Sequence, residues 1–159
     1  MTDHLDERFE AMRHLCLLLA FQKPRAMEIA RAGERHLVLR SHKDNIGQYI
    51  GSKGAHFKAL ECISNHIGFT FEVQNNPDKD AFTPSGVPMN PQDILEDIVS
   101  LIAGKRITAE VRKVKDSHKF VCAVPRHMFT ERLQHALDVI FYASGYASGS
   151  EAGVILLPE

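Results

Sequence analysis

Residues 75–91, NNPDKDAFTPSGVPMNP, cut this chain in two. They hold four of its seven prolines together with Asn, Asp and Gly, and a stretch of that composition forms a linker or a long surface loop. A chain of 159 residues broken there supplies one domain or two very small ones. The expected organisation is a unit over 1–76, a linker over 77–91 and a second unit over 92–159. With 44% hydrophobic and 25% charged residues, the chain has enough apolar material to fold without disulfide staples. Its three cysteines, Cys16, Cys62 and Cys122, are far apart in apolar contexts, which fits reduced thiols in a cytoplasmic protein rather than a disulfide or zinc framework. The apolar run LCLLLAF from Leu15 follows acidic residues and is too short to span a bilayer, so neither a signal peptide nor a membrane span is expected.

The two sides of the break repeat one order of elements. In the first, Leu5, Phe9, Met12, Leu15, Cys16 and Leu19 recur at helical spacing from Asp3 to about Phe21, before Pro24. Alternation over 26–31 and 35–41 predicts a hairpin turning at Ala32-Gly33-Glu34. A short helical turn capped by Asp44 or Asn45 follows, then a helix from Ala55 to Ile67 stopped by Gly68, then a strand over 69–74. In the second, Asn90 and Pro91 start a helix that ends at Gly104. Strands over 107–114 and 118–124, a helix over about 126–143 and a closing strand over 154–157 complete it. The predicted class is α+β, a duplication of structure without evident sequence identity between the halves.

Net charge is −1, so the overall balance names no partner. Its distribution is more informative. Lys23, Arg25, Arg31, Arg35, Arg40, Lys43, Lys53 and Lys58 face only Glu28, Glu34 and Asp44 over 23–58. A second basic run spans Lys105 to Lys119. Ordinary solvated lysines explain such runs equally well unless a binding motif lies inside one.

A motif does lie there. In IGQYIGSKGAHFKALECI, residues 46–63, Gly51-Ser52-Lys53-Gly54 interrupts two apolar-periodic helical runs, with Ile46, Tyr49 and Ile50 before it and Phe57 after it. YIGSKGAHFKAL resembles the I-G-x-x-G-x-x-I core of the KH domain, a single-stranded RNA-binding module. Over residues 3–75 the element order is similar to the type II, bacterial form, α-β-β-α-α-β with a three-stranded sheet covered by helices on one face. A GXXG loop of this family clamps the backbone of about four nucleotides, because residues without Cβ let phosphates reach main-chain N–H groups at a helix start. The resemblance therefore implies that Gly51, Ser52, Lys53 and Gly54 hold a phosphate backbone, with Ile46, Ile50 and Phe57 flooring a groove for bases. His56 would stack on a base or touch a phosphate, and Arg40, Lys43 and Lys58 would contact flanking phosphates. The implied partner is single-stranded RNA such as bacterial or bacteriophage mRNA, with no enzymatic activity and no cofactor. The competing structural reading makes Gly51 and Gly54 a plain helix stop and start, with Lys53 a solvated tip.

Other chemistry fits poorly. A P-loop needs G-x-x-x-x-G-K-[ST] after a buried strand, whereas here the order is Gly-Ser-Lys after a short helix, with Gly47 only four residues upstream. The nine histidines make no HExxH, and no C-x-x-C accompanies them, so no metal is expected. The second half has only Pro125-Arg126-His127 between its strand and helix, with no GXXG, and resembles a degenerate KH-like α-β-β-α-β unit. Closely joined KH units of the kind found in the elongation factor NusA are similar at the level of architecture. Lys105, Arg106, Arg112, Lys113, Lys115 and Lys119 are candidates for a secondary RNA contact there. The alternative function is a KH-like adaptor working through protein contacts in a ribonucleoprotein assembly.

Overall fold

A computed structural model of the chain describes residues 5–20, 28–42, 46–75, 90–114, 117–146 and 152–159. Helix α1 (Leu5–Ala20) precedes a hairpin of β1 (Glu28–Arg31) and β2 (His36–Ser41). A helical turn α2 (Gly47–Ile50), a 3-10 turn (Ser52–Gly54), α3 (Ala55–Ile67) and β3 (Thr70–Asn75) follow. Beyond the proline-rich segment come α4 (Pro91–Ala103), β4 (Ala109–Val114), β5 (Ser117–Val124), a 3-10 turn (Arg126–Met128), α5 (Glu131–Tyr146) and β6 (Ala152–Pro158). The fold is α+β, with two three-stranded sheets ordered β1-β2-β3 and β4-β5-β6. In each sheet the first pair is antiparallel and the last strand returns parallel to the middle one. A parallel return needs a crossover, supplied by α2 and α3 in the first half and by α5 in the second. The repeated element order thus extends to strand pairing.

Helices from the two halves meet, α3 against α5 and α1 against α4, and one buried cluster runs through both. Met12, Leu15, Leu60 and Ile63 pack there with Leu37, Leu39 and Phe71 of the first sheet. Ile94, Ile98, Leu133, Leu137 and Ile140 join Phe120, Cys122, Val154 and Leu156 of the second. Each fully buried side chain of this kind contributes roughly 1.5–3 kcal/mol over its exposed state. The expected apolar stripes therefore face one shared interior.

Helix boundaries follow their caps. The α3 helix ends at Gly68, which is left-handed at φ 100°. Asn90 Oδ1 accepts the Gln92 N–H at 2.9 Å, Pro91 takes the first helical position and Gly104 closes α4. The α5 helix begins later than its apolar pattern implied, because Arg126–Met128 forms a separate 3-10 turn and Phe129 is extended at φ −74°, ψ 125°. The helix starts only after Thr130, whose hydroxyl accepts the Leu133 N–H at 3.0 Å. The expected Asp44 or Asn45 cap and residues 76–89 of the linker lie outside the described residues, and Asn90 and Pro91 belong to α4.

Side chains one turn apart close the edges of the second sheet. On β4, Gln92 Nε2 donates to the Ala109 carbonyl and the Ala109 N–H donates to Glu96 Oε2, both at 2.6 Å. On β6, Gln134 Nε2 donates to the Val154 carbonyl, while the Leu156 N–H donates to Gln134 Oε1 at 2.6 Å and the Val154 N–H to Asp138 Oδ1 at 2.8 Å. These helix side chains occupy backbone groups that would otherwise invite another strand. The first sheet carries its cross-strand contacts on the face away from the helices, where His36 bonds Thr70 and Glu72, and Arg40 bonds Glu28 and Gln74. The hydrogen bonds from His36 and Gln74 hold the Glu72 carboxyl below its usual range.

Candidate nucleic-acid interface

Tyr49 anchors the helical turn that precedes the glycine loop. Its side chain is fully buried, and burial together with neighbouring Cys16 pushes the phenol pKa up. Burial alone pushes the Cys16 thiol up to about 12, so it stays protonated and inert. With Tyr49 inward, Ile46 is half-buried and Ile50 exposed. Phe57, at the start of α3, is half-buried and holds its ring 6.0 Å from that of Phe71. Of the three side chains expected to floor a groove, Phe57 packs against the core, and Ile50 presents the most surface.

The loop between these elements is built on positive φ. Gly51 has φ 74°, ψ 173°, a region open essentially to glycine alone, and its N–H donates to the Gly47 carbonyl at 2.8 Å. A Cβ on it would meet His56 Cγ at 2.7 Å and the His56 backbone nitrogen at 2.8 Å. The His56 side chain therefore folds back against the loop, half-buried. Lys53 has φ 57°, ψ 26°, and among the described residues it is the one non-glycine with positive φ. A left-handed residue with a Cβ costs about 1–2 kcal/mol, and such strain concentrates at binding loops. Gly54 follows at φ 75°, ψ 18°, and Ala55 enters the helix at φ −62°, ψ −43°.

Electrostatically the loop leads into an open helix start. No side chain caps α3 at Gly54, and no acidic residue occupies its first turn. Ser52, Lys53 and, one turn on, Lys58 are all exposed. The Gly54 N–H donates to the Gly51 carbonyl at 3.1 Å and the Ala55 N–H to the Ser52 carbonyl within the 3-10 turn, so what suits an oxyanion here is the partial positive charge of the helix end together with two ammonium groups.

The remaining candidates separate from this centre. Arg40 alternates with Leu37 and Leu39 and so lies on the sheet face away from the helices, 3.4 Å from Glu28. Lys43 and Lys115 lie outside the described residues. In the second half, Arg106 pairs with Glu96 at 3.3 Å and Asp97 at 3.5 Å, and Arg112 with Glu110 at 2.8 Å. Lys105 and Lys113 are exposed, and Lys119 Nζ lies over Gly153. The second basic run is therefore partly neutralised by its own carboxylates.

Two residues absent from the sequence-based set join the loop. A cleft of about 460 Å³ opens between α3 and α5, with Ser52, Lys53 and Lys58 on one side, Arg132 and His135 on the other, and Ala59 and Ala136 along it. Cys62 lines the same cleft, where burial raises its thiol pKa, Arg132 opposes that shift and Glu61 adds to it. The sequence signal for these residues was weak: Arg132 and His135 are three apart in α5 and flank the inward Leu133 and Ala136. A larger cleft of about 750 Å³ between α1 and α4 mixes Asp6, Glu10 and Asp97 with Lys105 and Arg106, so carboxylates line it as well as cations. Beside it, burial and Arg13 hold the His14 pKa below its ordinary value.

Among the described residues no group of three or more His, Cys, Asp or Glu is placed to hold a metal ion, and no helix is long and apolar enough to cross a membrane. No protein-family model and no curated protein sequence matches the chain.

Proposed function

We propose that this is a non-enzymatic, cytoplasmic protein that binds single-stranded RNA, such as mRNA, by clamping its phosphate backbone with Gly51–Gly54. The observation that carries this reading is the uncapped α3 start, entered through Lys53 and Gly54, both left-handed, with no carboxylate in its first turn. Such a loop lets a phosphate approach backbone N–H groups that a side chain would otherwise shield. The α-β-β-α-α-β order, with an antiparallel then a parallel strand pair, supports a type II KH unit over 1–76. In that reading 92–159 is its degenerate counterpart, with Pro125 and a 3-10 turn in place of the loop.

The test is an anisotropy titration of single-stranded RNA, single-stranded DNA and duplex at two salt concentrations, repeated on the Ser52→Asp, Lys53→Asp double variant. Both side chains are exposed, and Asp tolerates the left-handed backbone at 53, so the fold survives. RNA affinity falls tenfold or more, about 1.4 kcal/mol. Unchanged affinity in the folded variant removes the loop from the mechanism, and absence of RNA binding by the wild type at low salt favours the protein-adaptor function.

A further inference from the structure

We propose that the cleft between α3 and α5 is a second phosphate site, which carries the RNA backbone away from the glycine loop and onto Arg132 and His135 of the second half. This rests on the RNA-binding reading above and extends it from the loop residues Ser52 and Lys53 across to α5, beyond the loop and the basic strands.

The first observation is charge without compensation. Lys53 and Lys58 on one wall face Arg132 and His135 on the other, and among the described residues no acidic side chain lines the cleft. Several other arginines meet carboxylates: Arg13 with Glu10, Arg31 with Asp6, Arg106 with Glu96 and Arg112 with Glu110. Arg132 is exposed and forms no hydrogen bond or ion pair with a described residue. Cations gathered from two elements around one opening repel one another, and an anion relieves that repulsion.

The second observation is the floor. Ala55, Ala59, Ala136 and Cys62 line the cleft between the basic groups, and among the described lining residues no Phe, Tyr or Trp does. Small side chains admit a chain close to two helices, but they offer no platform on which a base could stack. A cationic rim over a small-residue floor is suited to sugar and phosphate rather than to bases. Arg132 is the stronger contributor, since a guanidinium grips a phosphate with two parallel N–H bonds. The cleft begins at Ser52 and Lys53 themselves, so one strand occupies both places without a gap.

Strand length separates this site from the loop. A four-nucleotide RNA fills a KH-type loop, whereas a strand of about ten nucleotides, at roughly 3.4 Å or more per nucleotide, is long enough to leave the loop and run along the cleft that opens from it toward α5. Arg132→Gln is expected to weaken the longer strand about threefold to tenfold at low salt and to lower its log–log salt slope by about 0.7. The four-nucleotide strand keeps its affinity, and Arg132→Lys restores part of the loss for the longer one. Circular dichroism melting of each variant checks the fold. Equal binding of long and short strands by wild type and Arg132→Gln alike, with the Ser52→Asp, Lys53→Asp variant still defective, overturns the second site and leaves the loop intact. If a glutamate-rich peptide displaces the long strand as well as unlabelled RNA does, and loses its own affinity in Arg132→Gln, the cleft serves an acidic protein segment and the proposal falls. Failure of the wild type to bind either RNA defeats the loop reading as well, so the two claims fail separately.

Discussion

The two halves share an order of elements and a pattern of strand pairing, yet they treat the chain between middle strand and crossover helix in opposite ways. After β2 the first half places a core-anchored turn and then a loop in which Gly51, Lys53 and Gly54 all have positive φ, leading into an uncapped helix. After β5 the second half places Pro125, a 3-10 turn and a Thr130 cap. Its sheet edges are occupied at Ala109 and at Val154 and Leu156 by side chains of α4 and α5. One topology thus carries an open helix start in one copy and a closed one in the other. Binding competence, in this account, is decided by a few backbone angles and caps and not by the fold.

Substitutions matched across the halves sharpen that contrast. The largest effect belongs to Gly51→Ala, which demands a conformation near φ 74°, ψ 173° and a Cβ 2.8 Å from the His56 nitrogen. Strain of this kind costs about 1–3 kcal/mol, so chemical denaturation shows a loss of that size, and RNA affinity falls with it as the loop is displaced. A smaller effect belongs to Gln92→Ala, which strips the donor from the Ala109 carbonyl at the edge of β4. Losing that bond costs about 1 kcal/mol, measured in the same way, while RNA affinity is unchanged. Should Gln92→Ala weaken RNA binding as much as Gly51→Ala, the contrast between an open loop in the first half and a closed turn in the second is broken.

Much of the fold was legible because its boundaries carry local signals. Asn90-Pro91, Gly104 and Gly68 each mark a helix end through hydrogen bonding or left-handed backbone within a few residues, and α3 and α4 begin and end where those signals stand. Apolar spacing alone sets the start of α5 too early because it continues through Met128 and Phe129, both in contact with the core, although the backbone there is a 3-10 turn and an extended residue. The glycine loop was legible from spacing alone. Arg132 and His135 were not, because their nearness to Lys53 comes from α3 packing on α5, a contact between residues some eighty positions apart. Arg40, expected from its position before the short helix to contact flanking phosphates, lies by strand alternation with Leu37 and Leu39 on the sheet face away from the helices. Of the second basic run, Arg106 meets Glu96 and Asp97 only through folding, whereas the partner of Arg112, Glu110, stands two residues away on the same strand.

The most direct test of the central claim is amide hydrogen exchange with and without single-stranded RNA, followed in peptides covering 47–58 and 124–131. If the open loop binds RNA, exchange slows over Gly51–Lys58 on adding RNA, with the segment from Pro125 to Met128 unchanged. Protection of the second segment with none at the first would contradict it.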